Sequence, residues 1–328
     1  MQRREFVGLL TTAAATWPVM SRAQQPARPI IGFLSSYSQG AFGKHLFRAF
    51  VERLNEAGYR DGRGIIIETK WADGRYERLP GLAADLLRAR LSVLVASGGS
   101  ASAHVAKAAT ETTPIVFILG GDPVKLGLVR TLARPGGNVT GVTTLSPELV
   151  PKRLELLHQL VPPAAVIGVL LNPTNPNSGN WSRDLQAAAR TLGRRIHLLP
   201  ATTEREIEAA FASLRSLRAG GLVVGGDPFL NEQSERLAAL SLRYAVPTIF
   251  QFRLYAQAGG LMSYGGDLRD LYRQAANYTG RILAGAKPGD LPVQQRTKIE
   301  LIFNLRTAQA LGLTIPATLL ARADEVIE

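Results

Sequence analysis

The stretch SVLVASGGSASAHVAKAATETTPIVFILGGDPVK, residues 92–125, determines the fold that we predict for this chain. It reads as strand, glycine-rich turn, helix, strand, glycine-rich turn and helix. The continuous apolar runs at 93–96 and 114–119 are typical of buried parallel strands that are connected by helices. Both turns leave the carboxyl ends of strands and therefore lie on one edge of the sheet, where open α/β folds bind ligands.

Helix starts are expected along this edge, and they present backbone N–H groups that have no partner within the helix. Ser100 and Asp122 are placed as N-caps, and Pro123 stands in the first helical position of the second helix. The glycines at 98–99 and 120–121 let other groups approach the backbone closely. The edge is therefore predicted to be rich in hydrogen-bond donors.

The same plan occurs again in the second half of the chain. The segment GLVVGGDP at 221–228 is again strand, glycines, cap and proline, and a helical segment then leads to PTIF at 247–250. Further strands and helices alternate regularly between 30 and 217. The predicted fold class is therefore α/β, with two doubly wound lobes whose ligand-binding edges face each other. At 328 residues and 46% hydrophobic composition, the chain is long enough for two such cores.

Residues 1–23 read as an export signal. A basic start is followed by a modest apolar run over 9–20 and by small residues near 21–23, which is too short and too polar for a membrane span. Arg3 and Arg4, followed by Phe6, resemble a twin-arginine signal, while Gln2 and Gly8 depart from that motif and leave the general secretory route open. Because the chain contains no Cys, a lipoprotein anchor is excluded, and we expect a free periplasmic protein.

The net charge of +12 raises the question of nucleic acid binding. The arginines of the second half are scattered over predicted helix surfaces and form no cluster that alternates with aromatic residues. We therefore interpret the charge as a solvated surface and expect no nucleic acid partner.

Motifs for catalysis and for metal binding are also missing from the sequence. The four histidines, at 45, 104, 158 and 197, do not have the spacing of metal ligands, and there is no nucleophile elbow, P-loop, dinucleotide fingerprint or Cys nucleophile. We expect a protein that is not an enzyme and that holds neither a cofactor nor a metal.

Small hydroxyl, glycine and amide residues at strand ends are the candidate ligand-binding residues. Backbone N–H groups at helix starts suit a carboxylate, and each contributes roughly 0.3–1 kcal/mol when exposed and up to about 2 when partly buried. Asp122 or Asp227 could bind an ammonium group of the ligand. For Asp122 the role of a helix cap is favoured, and for Asp227 the two roles are about equally supported. The polar loop at 172–177 is expected to face the ligand, and Tyr37, Phe250 and Tyr264 could form aromatic walls, although Phe250 fits the core better. The full candidate set is Ser35, Ser36, Ser97, Gly98, Gly99, Ser100, Ser102, Asp122, Asn172, Asp227, Phe250 and Tyr264.

Five segments resemble the bacterial ABC transporter substrate-binding family that includes tryptophan- and tyrosine-binding members, a branch of the type I periplasmic binding proteins. They are DPVKLGLV at 122–129, RPGGNVTGV at 134–142, AGGLMSYG at 258–265, ILAGAKPGDLPV at 282–293 and the end of the chain from 304 to 328. The resemblance is collinear over residues 29–328. Many members of this family are lipoproteins, and this chain departs from them because it lacks the Cys.

The resemblance implies two Rossmann-like lobes that are joined by a three-segment hinge. The N-terminal lobe would comprise 29–142 plus 264–290, and the C-terminal lobe 143–263 plus 291–328. A small-molecule ligand would be held in the cleft and delivered to a permease in the inner membrane with its cytoplasmic ATPase. The resemblance also places several candidate residues at the cleft, namely Ser35, Ser36, residues 97–102, Asp122, Asn172, Asp227 and Tyr264. We expect a monomer.

Two other functions fit parts of this pattern. A ligand sensor could present its closed form to a membrane receptor kinase, and the genes beside this one would separate sensing from transport. An exported α/β hydrolase or transferase would need a nucleophile motif, which the sequence lacks. A cytoplasmic sugar-responsive repressor would need a helix-turn-helix where the export signal stands.

Overall fold

Strands and helices alternate along the chain and build two separate sheets in the computed structural model. The structure describes residues 28–144, 149–161, 166–295 and 298–328, so the predicted export signal lies outside the described residues. The first part contains β1 (Ile30–Ser35), α1 (Ala41–Glu56), β2 (Ile66–Trp71), α2 (Leu79–Leu87), β3 (Val93–Ser97), α3 (Ser100–Ala109), β4 (Ile115–Leu119) and β5 (Val139–Thr143).

The middle of the chain builds most of the second sheet and its helices. Its elements are α4 (Leu149–His158), β6 (Val166–Leu171), α5 (Ser178–Thr191), β7 (Ile196–Pro200), α6 (Glu204–Ser216), β8 (Ala219–Val224), α7 (Pro228–Glu232), α8 (Ser234–Arg243), β9 (Thr248–Phe250), α9 (Arg253–Gln257) and β10 (Met262–Gly266). The last part contains α10 (Leu268–Leu283), β11 (Gln294–Gln295), β12 (Ile299–Asn304), α11 (Leu305–Ala310), α12 (Ala317–Leu320) and β13 (Glu325–Ile327).

The strand order explains why the carboxyl ends of the strands meet. The first sheet has the order β11-β5-β4-β3-β1-β2, and all of its pairs are parallel. The second has the order β13-β12-β10-β9-β8-β6-β7 and is parallel except at β10–β12. Strands β3 and β4 are buried at every position because helices cover both faces. The predicted α/β class with two parallel-sheet domains is confirmed.

Helix α10 belongs to the first domain although it follows most of the second in sequence. It packs on α1, where Arg53 Nε donates to Asn277 Oδ1 at 2.6 Å and Tyr59 Oη donates to the Gly280 carbonyl at 3.1 Å. Among the described strands, the chain changes sheet after β5, after β10 and after β11.

The chain passes from one sheet to the other only where a strand has ended, because each strand is paired within a single sheet along its whole length. Strand β5 therefore reaches Thr143 in the first sheet, β10 stays in the second sheet as far as Gly266, and β11 lies in the first sheet. The expected lobe limits at 142, 263 and 290 differ from these strand ends by a few residues. How the lobes divide as moving units stays a prediction.

Two local predictions on the cleft edge are wrong. No helix follows Asp122: residues 123–127 form turns, and Asp122 Oδ1 accepts hydrogen bonds from Val124 N at 2.9 Å and Lys125 N at 3.2 Å. Ser100 is the first residue of α3 rather than its N-cap, which is Gly99 with φ of 105°.

Candidate ligand-binding cleft

A cavity lies between the carboxyl-end edges of the two sheets. Residues 98–101 and 120–121 line it from the first domain, and 175–177, Gly226 and Gln251 line it from the second. Its volume is about 60 Å³, and at roughly 10–15 Å³ per water this is space for several waters. The described residues that line the cavity carry no charged side chain.

The turn after β3 brings the start of α3 to the cavity. Gly98 has φ of +85°, and a Cβ at this position would lie 2.9 Å from Ser36 Cβ and 3.0 Å from Ser36 N. Only glycine therefore fits between the turns after β1 and β3. Because the N-cap of α3 is Gly99 and has no side chain, no side chain caps the first N–H groups of this ten-residue helix.

Asp227 is the buried carboxylate beside the cavity. It caps α7 by accepting from Phe229 N at 2.9 Å and Leu230 N at 3.3 Å. Its carboxylate also accepts from Tyr76 Oη at 2.6 Å, Asn172 Nδ2 at 3.1 Å and Asn175 Nδ2 at 2.9 Å. Since Tyr76 comes from the first domain, this carboxylate joins the two domains.

Further hydrogen bonds cross between the domains, and one of them runs from Asn175 Nδ2 to Tyr76 Oη at 3.2 Å. Asn177 Nδ2 donates to Ser100 Oγ at 2.9 Å, and Asn231 Nδ2 donates to Tyr37 Oη at 3.1 Å. The backbone N–H of Ser38 donates to Glu232 Oε1. The two edges are therefore closed on each other.

Aromatic rings form much of the cavity wall. Tyr37, Tyr76, Trp181, Phe252 and Tyr272 all line it. Burial raises the pKa of Tyr37, Tyr76 and Tyr272 above the usual phenol range. The neighbouring Tyr272 raises the pKa of Tyr37 further, and the carboxylate of Asp227 does the same for Tyr76. These phenols are therefore protonated at neutral pH and act as neutral hydrogen-bonding groups.

A buried guanidinium lies beside Gly265 in the second domain. Arg153 on α4 is 1% exposed, its Nε donates to the Tyr264 carbonyl at 2.8 Å, and its Nη2 is buried without a hydrogen-bond partner. A Cβ on Gly265 would lie 3.6 Å from this Nη2 and 2.0 Å from the Gln251 carbonyl oxygen. Burial lowers the pKa of Arg153 to about 10, so the group is charged at neutral pH.

The structure brings several of the predicted site residues to the cavity. Gly98, Gly99 and Ser100 line it. Asp227 lies directly behind its wall and is bonded to Asn172. Ser97 shares a hydrogen bond of 2.6 Å with the cavity residue Tyr272.

Other predicted site residues have structural contacts instead. Ser35 Oγ accepts from Tyr37 N, and Ser102 Oγ donates to the Gly99 carbonyl. Ser36 is buried against Gly98, and Asp122 caps its turn. Phe250 stacks on Tyr255 in the core with ring centroids 4.5 Å apart. Tyr264 packs against the second domain's core, and its backbone carbonyl accepts a hydrogen bond from Arg153. The contact of this whole set with a ligand stays a prediction.

Sequence reasoning missed cavity residues that do not directly follow a strand. Tyr76 stands in a single turn before α2, Trp181 lies inside α5, and Tyr272 lies inside α10. Their spacing resembles that of ordinary helix residues that face a core, so no local signal separates them. The loop at 172–177 could be predicted from sequence, because its Asn and Pro residues directly follow the end of β6. Its residues 175–177 line the cavity.

Two further features are absent from the described ranges. No cluster of three or more His, Cys, Asp or Glu side chains is placed there to hold a metal ion. None of the helices in those ranges combines the length and apolar character needed to cross a bilayer.

Comparisons with known proteins agree over most of the chain. The family model described as ABC transporter substrate binding protein matches residues 44–327. A tyrosine-binding protein of Clostridioides difficile strain R20291 is 28% identical over 266 residues, which cover 81% of this chain and 76% of that protein. These relatives are solute-binding proteins and not enzymes.

Solved structures share the same fold. A conserved domain protein from Vibrio cholerae has a TM-score of 0.81 and 27% identity, covering 91% of this chain and 99% of that one. A Streptococcus pneumoniae protein in complex with L-Trp also gives 0.81, with 25% identity and coverage of 92% and 100%. A ligand-free, open substrate-binding protein from Clostridium difficile, also 25% identical, gives 0.63 with coverage of 91% and 99%. The fold is that of type I periplasmic binding proteins, and the higher score with the L-Trp complex agrees with the closed edges.

Proposed function

Because the chain belongs to the family of ABC transporter substrate-binding proteins, we propose that it is the solute-binding component of an importer. It captures a small carboxylate-bearing solute in the cleft, and aromatic amino acids are one candidate class. The observation that carries this proposal is a cavity lined by both domains, with the uncapped start of α3 on one side and aromatic rings around it. Backbone N–H groups at a helix start bind carboxylates, and the rings supply apolar contact.

Binding in this proposal changes a conformational equilibrium and no covalent bond. The solute contacts both domains only when the edges are close, so it stabilises the closed form by its differential affinity. The three passages of the chain between the sheets act as the hinge, and a few residues in each absorb the change of dihedral angles.

The protein works outside the cytoplasm in this proposal. Residues 1–23 direct export by the twin-arginine or the general secretory route, and the chain, which has no Cys, is a monomer free in the periplasm. The closed form delivers its solute to a permease in the inner membrane, and a cytoplasmic ATPase supplies the energy. The relatives are substrate-binding proteins, so they give no support to the receptor-kinase alternative.

The test is isothermal titration of the purified protein with aromatic amino acids, aromatic carboxylic acids and aliphatic amino acids, with neutral sugars as the control. We expect saturable binding of at least one aromatic carboxylate, together with a rise in melting temperature, because a ligand that binds only the folded state stabilises it. The same titration on Trp181→Ala should show weaker binding, since this ring lines the cavity. The proposal fails if no small carboxylate binds or stabilises the protein.

A further inference from the structure

We propose that the cleft selects aromatic carboxylates that lack an α-ammonium group over the corresponding amino acids. This inference rests on the proposed function and narrows its ligand class. Three observations carry it: the hydrogen bonds of Asp227, the uncharged cavity wall and the buried guanidinium of Arg153, whose Nη2 has no hydrogen-bond partner.

Asp227 has no free acceptor for an ammonium group. An ionised carboxylate offers about four lone-pair sites, and this one already accepts five hydrogen bonds. Oδ1 receives those of Asn172 Nδ2, Phe229 N and Leu230 N, and Oδ2 receives those of Tyr76 Oη and Asn175 Nδ2. A ligand ammonium would have to displace Tyr76 or Asn175, and would thereby break contacts that hold the domains together.

The rest of the cavity wall offers an ammonium group no carboxylate. None of the described residues that line it is Asp or Glu. Several of the polar oxygens near it already have donors: Ser100 Oγ accepts from Asn177, and Asn231 Oδ1 accepts from Tyr255 Oη at 3.0 Å. Because a buried charge without a partner is costly, the wall disfavours a cationic group.

A ligand carboxylate, in contrast, finds hydrogen-bond donors and a positive charge near the cavity. The first N–H groups of α3 have no side-chain cap, and residues 98–101 line the cavity. In the second domain, Arg153 is buried, and its Nη2 has no hydrogen-bond partner. This Nη2 lies beside Gly265, and Gly265 in turn lies against the backbone carbonyl of Gln251, a residue that lines the cavity. In a medium of low dielectric the positive charge of Arg153 favours a negative ligand group.

The remaining wall suits an aromatic body. Trp181 and Phe252 offer apolar surface, and the hydroxyls of Tyr37, Tyr76 and Tyr272 already bond to Asn231, Asp227 and Ser97. Rings placed in this way pack against a planar ligand. The ligand is therefore an aromatic ring with a short carboxylate side chain.

The first experiment compares three probes that share one ring: indole-3-propionate, L-tryptophan and tryptamine. Isothermal titration should give indole-3-propionate an affinity at least tenfold above that of L-tryptophan, and tryptamine should not bind. Tighter binding of L-tryptophan overturns the inference and leaves the proposed function standing. If none of these probes binds and no other small carboxylate does, the proposed function fails and the inference fails with it.

The second experiment opens an acceptor on Asp227. The Tyr76→Phe variant removes one hydrogen bond from Oδ2 and keeps the ring, so the preference for indole-3-propionate over L-tryptophan should fall about tenfold, the value of one hydrogen bond to a charged group. Tyr59→Phe is the matched control, because its hydroxyl donates to the Gly280 carbonyl at 3.1 Å and its ring is not among the residues that line the cavity. An unchanged ratio in Tyr76→Phe, or an equal drop in both variants, contradicts the inference.

The third experiment separates a functional from a structural role of Arg153. Arg153→Met keeps the length of the side chain and removes a buried charge that has no ion-pair partner in the described part of the chain. We expect a melting temperature close to that of the wild type, because removal of the buried charge offsets the lost hydrogen bond to the Tyr264 carbonyl. Affinity for indole-3-propionate should fall at least tenfold. If the variant fails to fold, Arg153→Lys, which keeps the charge, should retain most of the affinity. Unchanged affinity in Arg153→Met, or a tenfold loss in Arg153→Lys, overturns the role of this charge.

Discussion

Gly98 is the residue that lets two turns meet at the cleft. Its φ is +85°, and a Cβ added to it would lie 3.0 Å from Ser36 N, so there is no room for a side chain. We expect Gly98→Ala to lower the free energy of unfolding by about 1–3 kcal/mol, because it adds backbone strain and a steric clash. Ligand affinity should fall as well, since the start of α3 would move. Urea denaturation and isothermal titration measure the two effects.

Gly81→Ala is the control for this substitution. Gly81 lies in α2, has nothing within 4 Å of an added Cβ and has no positive φ. The same change should therefore raise the free energy of unfolding by about 0.5–1 kcal/mol through helix propensity, and ligand affinity should stay unchanged. Destabilisation by both variants to the same extent would contradict the steric account of Gly98.

At the scale of elements, α6 shows how a short sequence signal fixes a helix start. Thr203 Oγ1 accepts from Glu206 N at 3.2 Å, and Glu206 Oε2 accepts from Thr203 N at 3.2 Å, which completes a capping box. Thr203→Ala should therefore cost about 1 kcal/mol of stability, as measured by urea denaturation at pH 7. A loss below experimental error would show that the helix start does not depend on this cap.

The same cap predicts a dependence on pH. Hydrogen bonds, first of all from the backbone N–H of Thr202, lower the pKa of the Glu206 carboxyl. A carboxyl whose pKa is lower in the folded state stabilises it above the unfolded pKa, and this contribution is lost as the pH falls through the folded value. Glu206→Gln should therefore be less stable than the wild type at pH 7, and the gap should shrink as the pH is lowered to about 3. A gap that is constant with pH would contradict this assignment.

Two identical tetrapeptides show how far sequence can predict an element. GGDP at 225–228 leads into α7, with Asp227 as N-cap and Pro228 in the first position. GGDP at 120–123 leads only into turns, although Asp122 also accepts hydrogen bonds from the next N–H groups. The segment after residues 120–123 reaches Gly127, whose φ of +66° ends it before a helix can form. The cap is therefore a local signal, and the helix that follows depends on later residues.

The candidate site could likewise be predicted from sequence only in part, namely for residues that directly follow a strand. Glycines and polar residues after strands are visible in sequence, because the carboxyl ends of parallel strands share an edge, and residues 98–100 and 175–177 do line the cavity. The sequence leaves Asp227 evenly open between a cap and a ligand residue, and it gives no sign of the contact with Tyr76, which joins the two domains through residues that are 151 positions apart in the chain. Such contacts depend on how the two edges meet, which no local pattern encodes.

At the scale of the whole molecule, the cross-domain hydrogen bonds should favour closure even without a ligand. Tyr37→Phe removes the acceptor of the buried Asn231 amide, at a cost of about 1–3 kcal/mol to the closed form. The ratio of closed to open molecules should fall about tenfold for each 1.4 kcal/mol. Small-angle X-ray scattering should then give a larger radius of gyration for the ligand-free variant than for the wild type.

Tyr59→Phe is the matched control, because the Tyr59 hydroxyl donates to Gly280 within the first domain. Its radius of gyration should equal that of the wild type. If Tyr37→Phe also keeps the wild-type radius, the cross-domain bonds do not control closure.

The return of α10 to the first domain has a consequence for biosynthesis. Helix α1 packs on a partner that the ribosome adds more than two hundred residues later, after every strand from β6 to β10 has been made. Contacts so distant along the chain form slowly, because a long loop must close first. The nascent amino-terminal half therefore emerges with an apolar helix face uncovered, and it completes its core only when translation is nearly finished.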